Sequence, residues 1–75
     1  MITSYETAVA VAKDRQTRNR AALAIVSFTN TSKKQTRYRI YPENLASRYG
    51  VRDCKVGERP KIEAYVRDSD VVKVG

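Results

Sequence analysis

The period of the hydrophobic positions changes several times along this chain, and each change marks an element. Tyr5, Ala8, Val9 and Ala12 recur at helical spacing. Ahead of them, Thr3-Ser4-Tyr5-Glu6 fits a capping box, a hydroxyl at the helix start and a carboxyl three residues on. The pattern predicts a helix from about Ser4 to Gln16, slightly weakened by the β-branched Val9 and Val11. Thr17 to Arg20 is polar and reads as a connection. Ala21 to Thr29 is apolar and ends β-branched and aromatic, which predicts a strand. The competing reading carries the helix on through Leu23, because Ala and Arg favour helix. After the polar turn Asn30–Lys34, Gln35 to Tyr41 alternates. Thr36, Tyr38 and Ile40 point one way, and Arg37, Arg39 and Tyr41 the other. So short a connection makes the two strands an antiparallel hairpin.

Pro42 breaks the second strand and suits the first turn of a helix over Pro42–Tyr49, with Leu45, Ala46 and Tyr49 as its apolar stripe and Gly50 as its stop. Arg52 to Pro60 reads as a loop. Ile62, Ala64 and Val66 then alternate with Glu63, Tyr65 and Arg67, although Ile62, Tyr65 and Val66 also fit a helical stripe. Asp68-Ser69-Asp70 is a turn before a last strand, Val71–Val74. The order αββαββ predicts an α+β domain, a small antiparallel sheet of two hairpins with both helices on one face. Its other face would then be open, and Phe28 or Val26 could pack against a second copy to make a homodimer. With 75 residues, 41% of them apolar, the chain is one small domain, residues 1–75, with a modest core.

Charge sharpens this outline. The net charge is +7, and it is unevenly placed. Residues 1–14 carry −1 and residues 43–75 carry +1. From Arg15 to Pro42 there is no Asp or Glu, and Arg15, Arg18, Arg20, Lys33, Lys34, Arg37 and Arg39 carry the whole excess. Such a concentration creates a positive potential that attracts polyanions. Arg37 and Arg39 share a strand face with Tyr41, and guanidinium groups beside an aromatic ring suit phosphate contact and base stacking. Lys33 and Lys34 stand at the hairpin tip, and a two-stranded ribbon of this kind fits a DNA major groove. The binding residues expected from sequence are therefore Arg18, Arg20, Lys33, Lys34, Arg37, Arg39 and Tyr41. The bland alternative is a solvated strand that uses bases for solubility and to block edge pairing.

Leu45-Ala46-Ser47-Arg48-Tyr49-Gly50-Val51 resembles the first helix and turn of helix-turn-helix proteins. The resemblance implies a recognition helix that begins at Arg52–Val56, which Gly57 and Pro60 would cut off after barely a turn. Tyr65 to Val71 resembles the wing of small excisionase-type winged-helix proteins. Together the two segments cover about 14 of the 75 residues.

Several chemistries are missing. Without His there is no Ser-His or Cys-His dyad and no HExxH site, and neither a P-loop nor GxGxxG occurs. Cys54 is the lone cysteine, expected to be half-buried in a reducing compartment, so neither a disulfide nor a zinc site is expected. Asp68 and Asp70 suit backbone hydrogen bonds in a turn. Glu58 and Glu63 are expected to pair with Arg59 and Lys61 on the surface, where such pairs contribute about 0–1 kcal/mol. The start of the chain has neither a signal peptide's basic n-region nor a membrane span. The expectation is a cytoplasmic, non-catalytic binding module without cofactor or metal. Its basic hairpin would bind the phosphate backbone of DNA or RNA, in the manner of a small regulator. The alternative is an adaptor or inhibitor docking on an acidic protein surface, as a phage-encoded, anti-CRISPR-like antagonist of a host nucleic-acid machine would.

Overall fold

Helix formation begins where a side chain can satisfy the first free backbone amides, and that residue is Ser4, one later than the sequence pattern implied. Ser4 has extended backbone angles, and its Oγ accepts the Thr7 N–H at 3.3 Å. The residue three beyond Ser4 is Thr7, so the reciprocal half of a capping box is missing. Glu6 instead accepts from the Ser4 hydroxyl at 3.0 Å. The helix also ends later than Gln16. Thr17 to Asn19 continue it, and Arg20 closes it in the left-handed conformation (φ 54°), donating its N–H to the Gln16 carbonyl at 2.7 Å. The computed structural model describes residues 1–68 and 70–74. Along them run α1 (Tyr5–Asn19), β1 (Leu23–Asn30), β2 (Gln35–Pro42), a single 3-10 turn (Glu43–Leu45), α2 (Ala46–Asp53), β3 (Glu58–Arg67) and β4 (Asp70–Lys73).

The class and order are the expected α+β and αββαββ. Two antiparallel hairpins share one four-stranded sheet ordered β2-β1-β3-β4. The helices, however, lie on opposite faces, which corrects the one-face layout. The cause is β1, which is buried on both sides from Leu23 to Phe28. A strand apolar on both faces needs a cover on both. Ala8 and Ala12 of α1 pack on Ile25, Ala64 and Val66, with Tyr38 and Ile40 at the margin. Ala46 of α2 packs with Ala24, Val26, Phe28 and Tyr41. Phe28 and Val26 are therefore core residues, 0% and 1% exposed, and among the described residues the face expected to be open to a second copy is covered by α2. Each of these large side chains contributes about 1.5–3 kcal/mol by leaving water.

The ambiguity over 62–67 has a structural origin. The segment is strand, but β3 carries a bulge. Ile25 pairs with Ala64 and Val26 with Ile62, so Glu63 is the extra residue. The bulge puts Ile62 and Tyr65 on the α2 side and Ala64 and Val66 on the α1 side. Strict alternation is broken there, and the spacing of Ile62 and Tyr65 imitates a helix.

In α2, Gly50 is buried inside the helix, which runs on to Asp53. Cys54 is then extended, Gly57 turns the chain with φ +88°, and β3 begins at Glu58. The recognition helix implied at Arg52–Val56 is therefore absent. So is the expected loop over 58–60, because these residues pair with Phe28, Thr29 and Asn30 of β1. Asp68 adopts a left-handed conformation (φ 48°), and Ser69 of the expected turn lies outside the described residues. Among the described residues no helix is long and apolar enough to cross a membrane.

Candidate nucleic-acid interface

The strand alternation that defines β2 puts Arg37, Arg39 and Tyr41 on one face, as expected, but that face is the α2 side, where they meet neighbours the sequence did not suggest. Arg37 is drawn inward, its side chain only 11% exposed. Its Nε and Nη2 donate to the two carboxylate oxygens of Glu58, both at 2.9 Å. Nη2 also donates to the Asp53 carbonyl at 2.9 Å, and the guanidinium lies 4.2 Å from the centre of the Phe28 ring. This fork-to-fork geometry is the strongest form of ion pair. It holds the Glu58 carboxyl down at about 2 and raises Arg37 further. Glu58 thus pairs with Arg37, not with Arg59, and the pair is half-buried instead of superficial. Two of the three guanidinium nitrogens of Arg37 are thus spent inside the fold.

Tyr41 is also internal, 5% exposed, with its hydroxyl donating to Asp53 Oδ2 at 2.8 Å and its ring edge-on to Tyr49 at 5.9 Å. Burial, followed by the Asp53 hydrogen bond, pushes its phenol up to about 12. It cannot offer a face for stacking, so that expectation is withdrawn. Asp53 is engaged from the other side by Arg52, whose Nε donates at 2.8 Å, and these two donors hold its carboxyl down at about 2. Arg52 in turn stacks over Tyr49 at 4.0 Å.

The remaining expected residues stay outside. Arg39 is exposed, 5.9 Å from the Tyr41 ring centre. Lys33 and Lys34 occupy the turn between β1 and β2. The Lys33 N–H donates to Asn30 Oδ1 at 3.1 Å, and Lys34 sits in the left-handed region with φ 52°. Arg20 is exposed at the end of α1, away from the tip, and Arg18 is partnered by Asp14 one helical turn earlier at 2.8 Å. The seven residues do not form one patch.

A different set comes together along the outer edge of β2. A depression of about 480 Å³ there has the half-buried Ile2, Tyr38 and Ile40 as its floor and the exposed Met1, Arg15, Arg39 and Lys55 as its rim. A second of about 530 Å³ continues it toward the hairpin tip past Thr36 to Lys33. Met1, Arg37 and Lys55 line both, so the two adjoin, and the trough is the pair of them together. Arg15, Lys33, Arg39 and Lys55 are all exposed. The carboxylates lining it are Asp53 and Glu58, and each is already neutralised by an arginine, Arg52 and Arg37. The trough is therefore positive along its length. The edge itself is partly used, since the Tyr38 N–H donates to the Ile2 carbonyl at 2.8 Å. By the two-residue repeat of a strand, the amides of Thr36 and Ile40 face the same way.

Sequence reasoning placed neither Arg15 nor Lys55 in the site. Arg15 lay in the acid-free stretch but on a helix, and nothing in the sequence said that this helix flanks β2. Lys55 belongs to the nearly neutral last part of the chain and reaches β2 only because the Arg37–Glu58 pair pins the α2–β3 loop there, with the Lys55 N–H also donating to Glu58 at 2.9 Å. The hairpin is not a free ribbon either. β1 pairs with β3 from Leu23 to Asn30, so β1 and β2 belong to a four-stranded sheet.

Fold and surface together define a class: a small α+β domain with one sheet clasped between two helices and a cationic trough along one edge strand. Comparison with protein-family models, curated proteins and solved structures returns no match for this chain.

Proposed function

We propose that this protein is a small non-catalytic module that binds nucleic acid through the cationic trough along β2. One observation carries the reading: Arg15, Lys33, Arg39 and Lys55 line a continuous surface whose two carboxylates are already neutralised internally. Cations without internal partners attract phosphates, and neutralising them releases the counterions of the polyanion. If these four contact phosphates, log affinity falls by about 3–4 units per tenfold rise in salt. Fluorescence anisotropy with a labelled oligonucleotide at low and then rising salt tests this. No binding at low salt, or binding insensitive to salt, removes the reading.

A second reading has its own observation. The outward amides of Thr36 and Ile40 leave β2 an unfinished edge, and such an edge can pair with a strand of an acidic protein. An inhibitor that docks on an acidic protein surface would use the same trough. Nuclease treatment separates the two, because a protein partner stays bound and a nucleic-acid bridge is lost.

A further inference from the structure

Resting on the nucleic-acid reading, we infer that the trough accepts a single strand and not a duplex, over a site of about four to eight nucleotides. The argument starts from what a duplex could use. A two-stranded ribbon enters a major groove about 12 Å wide. Here the β1–β2 pair is flanked by β3 along its whole length and covered by a helix on each face. The pair is thus no free ribbon but part of a domain measuring 36 × 23 × 23 Å, and it cannot enter that groove by itself.

The trough has another character. Its rim is cationic and its floor is apolar, made by Ile2, Tyr38 and Ile40. A duplex offers its phosphates but hides its base faces in its own stack, so it gains little from an apolar floor. A single strand exposes both. Its phosphates reach Lys33, Lys55, Arg39 and Arg15 in turn, its bases cover Tyr38 and Ile40, and its base edges meet the open backbone groups of Thr36 and Ile40. The length follows from β2, whose eight residues span about 26 Å at about 3.3 Å each. That is room for about eight stacked nucleotides at about 3.4 Å, and for fewer if the strand is extended.

The test is anisotropy at low salt with labelled oligo-dT of about 4, 8 and 16 nucleotides. A duplex of mixed sequence and a poly-glutamate peptide serve as competitors. Affinity should rise from the shortest to the middle length, and the longest should gain only by carrying more sites. The duplex should compete at least about tenfold more weakly. Arg39→Glu should cost at least about tenfold with an unchanged circular-dichroism spectrum, its side chain being exposed. A duplex that competes equally or better overturns the inference and leaves the nucleic-acid reading standing. Binding to neither form, or poly-glutamate competing as well as oligo-dT, overturns both.

Discussion

Replacing Arg37 by Ala should unfold this protein far more readily than it should weaken binding. The guanidinium makes two hydrogen bonds to Glu58 and one to the Asp53 carbonyl, and it caps the Phe28 ring. The two charged side chains are only 11% and 9% exposed. Removing one partner leaves the other's charge in a poorly hydrated place, which costs about 3–5 kcal/mol. A domain of this length has a total stability of roughly 4–11 kcal/mol. At about 4–8 °C per kcal/mol, Arg37→Ala should lower Tm by at least about 12 °C. Arg39→Ala, on an exposed side chain of the same strand, should change stability by less than about 0.5 kcal/mol. Urea titrations followed by circular dichroism measure both. The double change Arg37→Met/Glu58→Leu should recover most of the loss, since an apolar pair of similar volume replaces a buried ion pair at little cost. An Arg37→Ala protein with a wild-type midpoint and lost oligonucleotide affinity would refute the placement of Arg37 as a strut.

The same pair sets a pH response. Glu58 titrates at about 2 in the fold against an ordinary 4.5, so its stabilisation is complete above about pH 4.5 and is lost as pH falls toward 2. Tm measured across that window should drop steeply in the wild type and less in Arg37→Met/Glu58→Leu. Tyr41 gives the alkaline counterpart. Its phenol is raised from 10.0 to about 12, so its contribution is intact below pH 10 and fades as pH rises through 12. Ultraviolet titration should show the Tyr41 phenol ionising at about 12, and Tyr41→Phe should abolish that step. Lys34→Gly should relieve the left-handed backbone at φ 52° and stabilise the fold by about 0.5–1 kcal/mol in denaturant titration; a loss of stability would show that the lysine is not strained there.

Local pattern carried the element order, because periods of two and of roughly four are written directly in the residues. It did not carry the faces. The sequence around Ile25 and Val26 is continuously apolar, which says that both sides are buried but not which helix covers which side. The Glu63 bulge erased the alternation that would have told strand from helix over 62–67. Charge counting behaved the same way. It located the excess between Arg15 and Pro42, and Arg39 and Lys33 of that stretch line the trough. It could not see that Arg37 would meet Glu58 from 21 residues away, nor that Tyr41 would turn inward to Asp53. Pairing across that distance is a property of the sheet, and it both removed Arg37 from the surface and brought Lys55 to it.

Position, not net charge, is what the trough adds to a basic protein. Two triple variants with the same change in charge separate these: Arg15→Glu/Arg39→Glu/Lys55→Glu along β2, and Lys13→Glu/Arg48→Glu/Arg59→Glu at exposed sites that do not line it. Oligonucleotide affinity at one fixed salt should collapse in the first and fall only a few-fold in the second. Equal losses in the two would mean that the protein attracts nucleic acid by overall charge alone and that the trough is not a site.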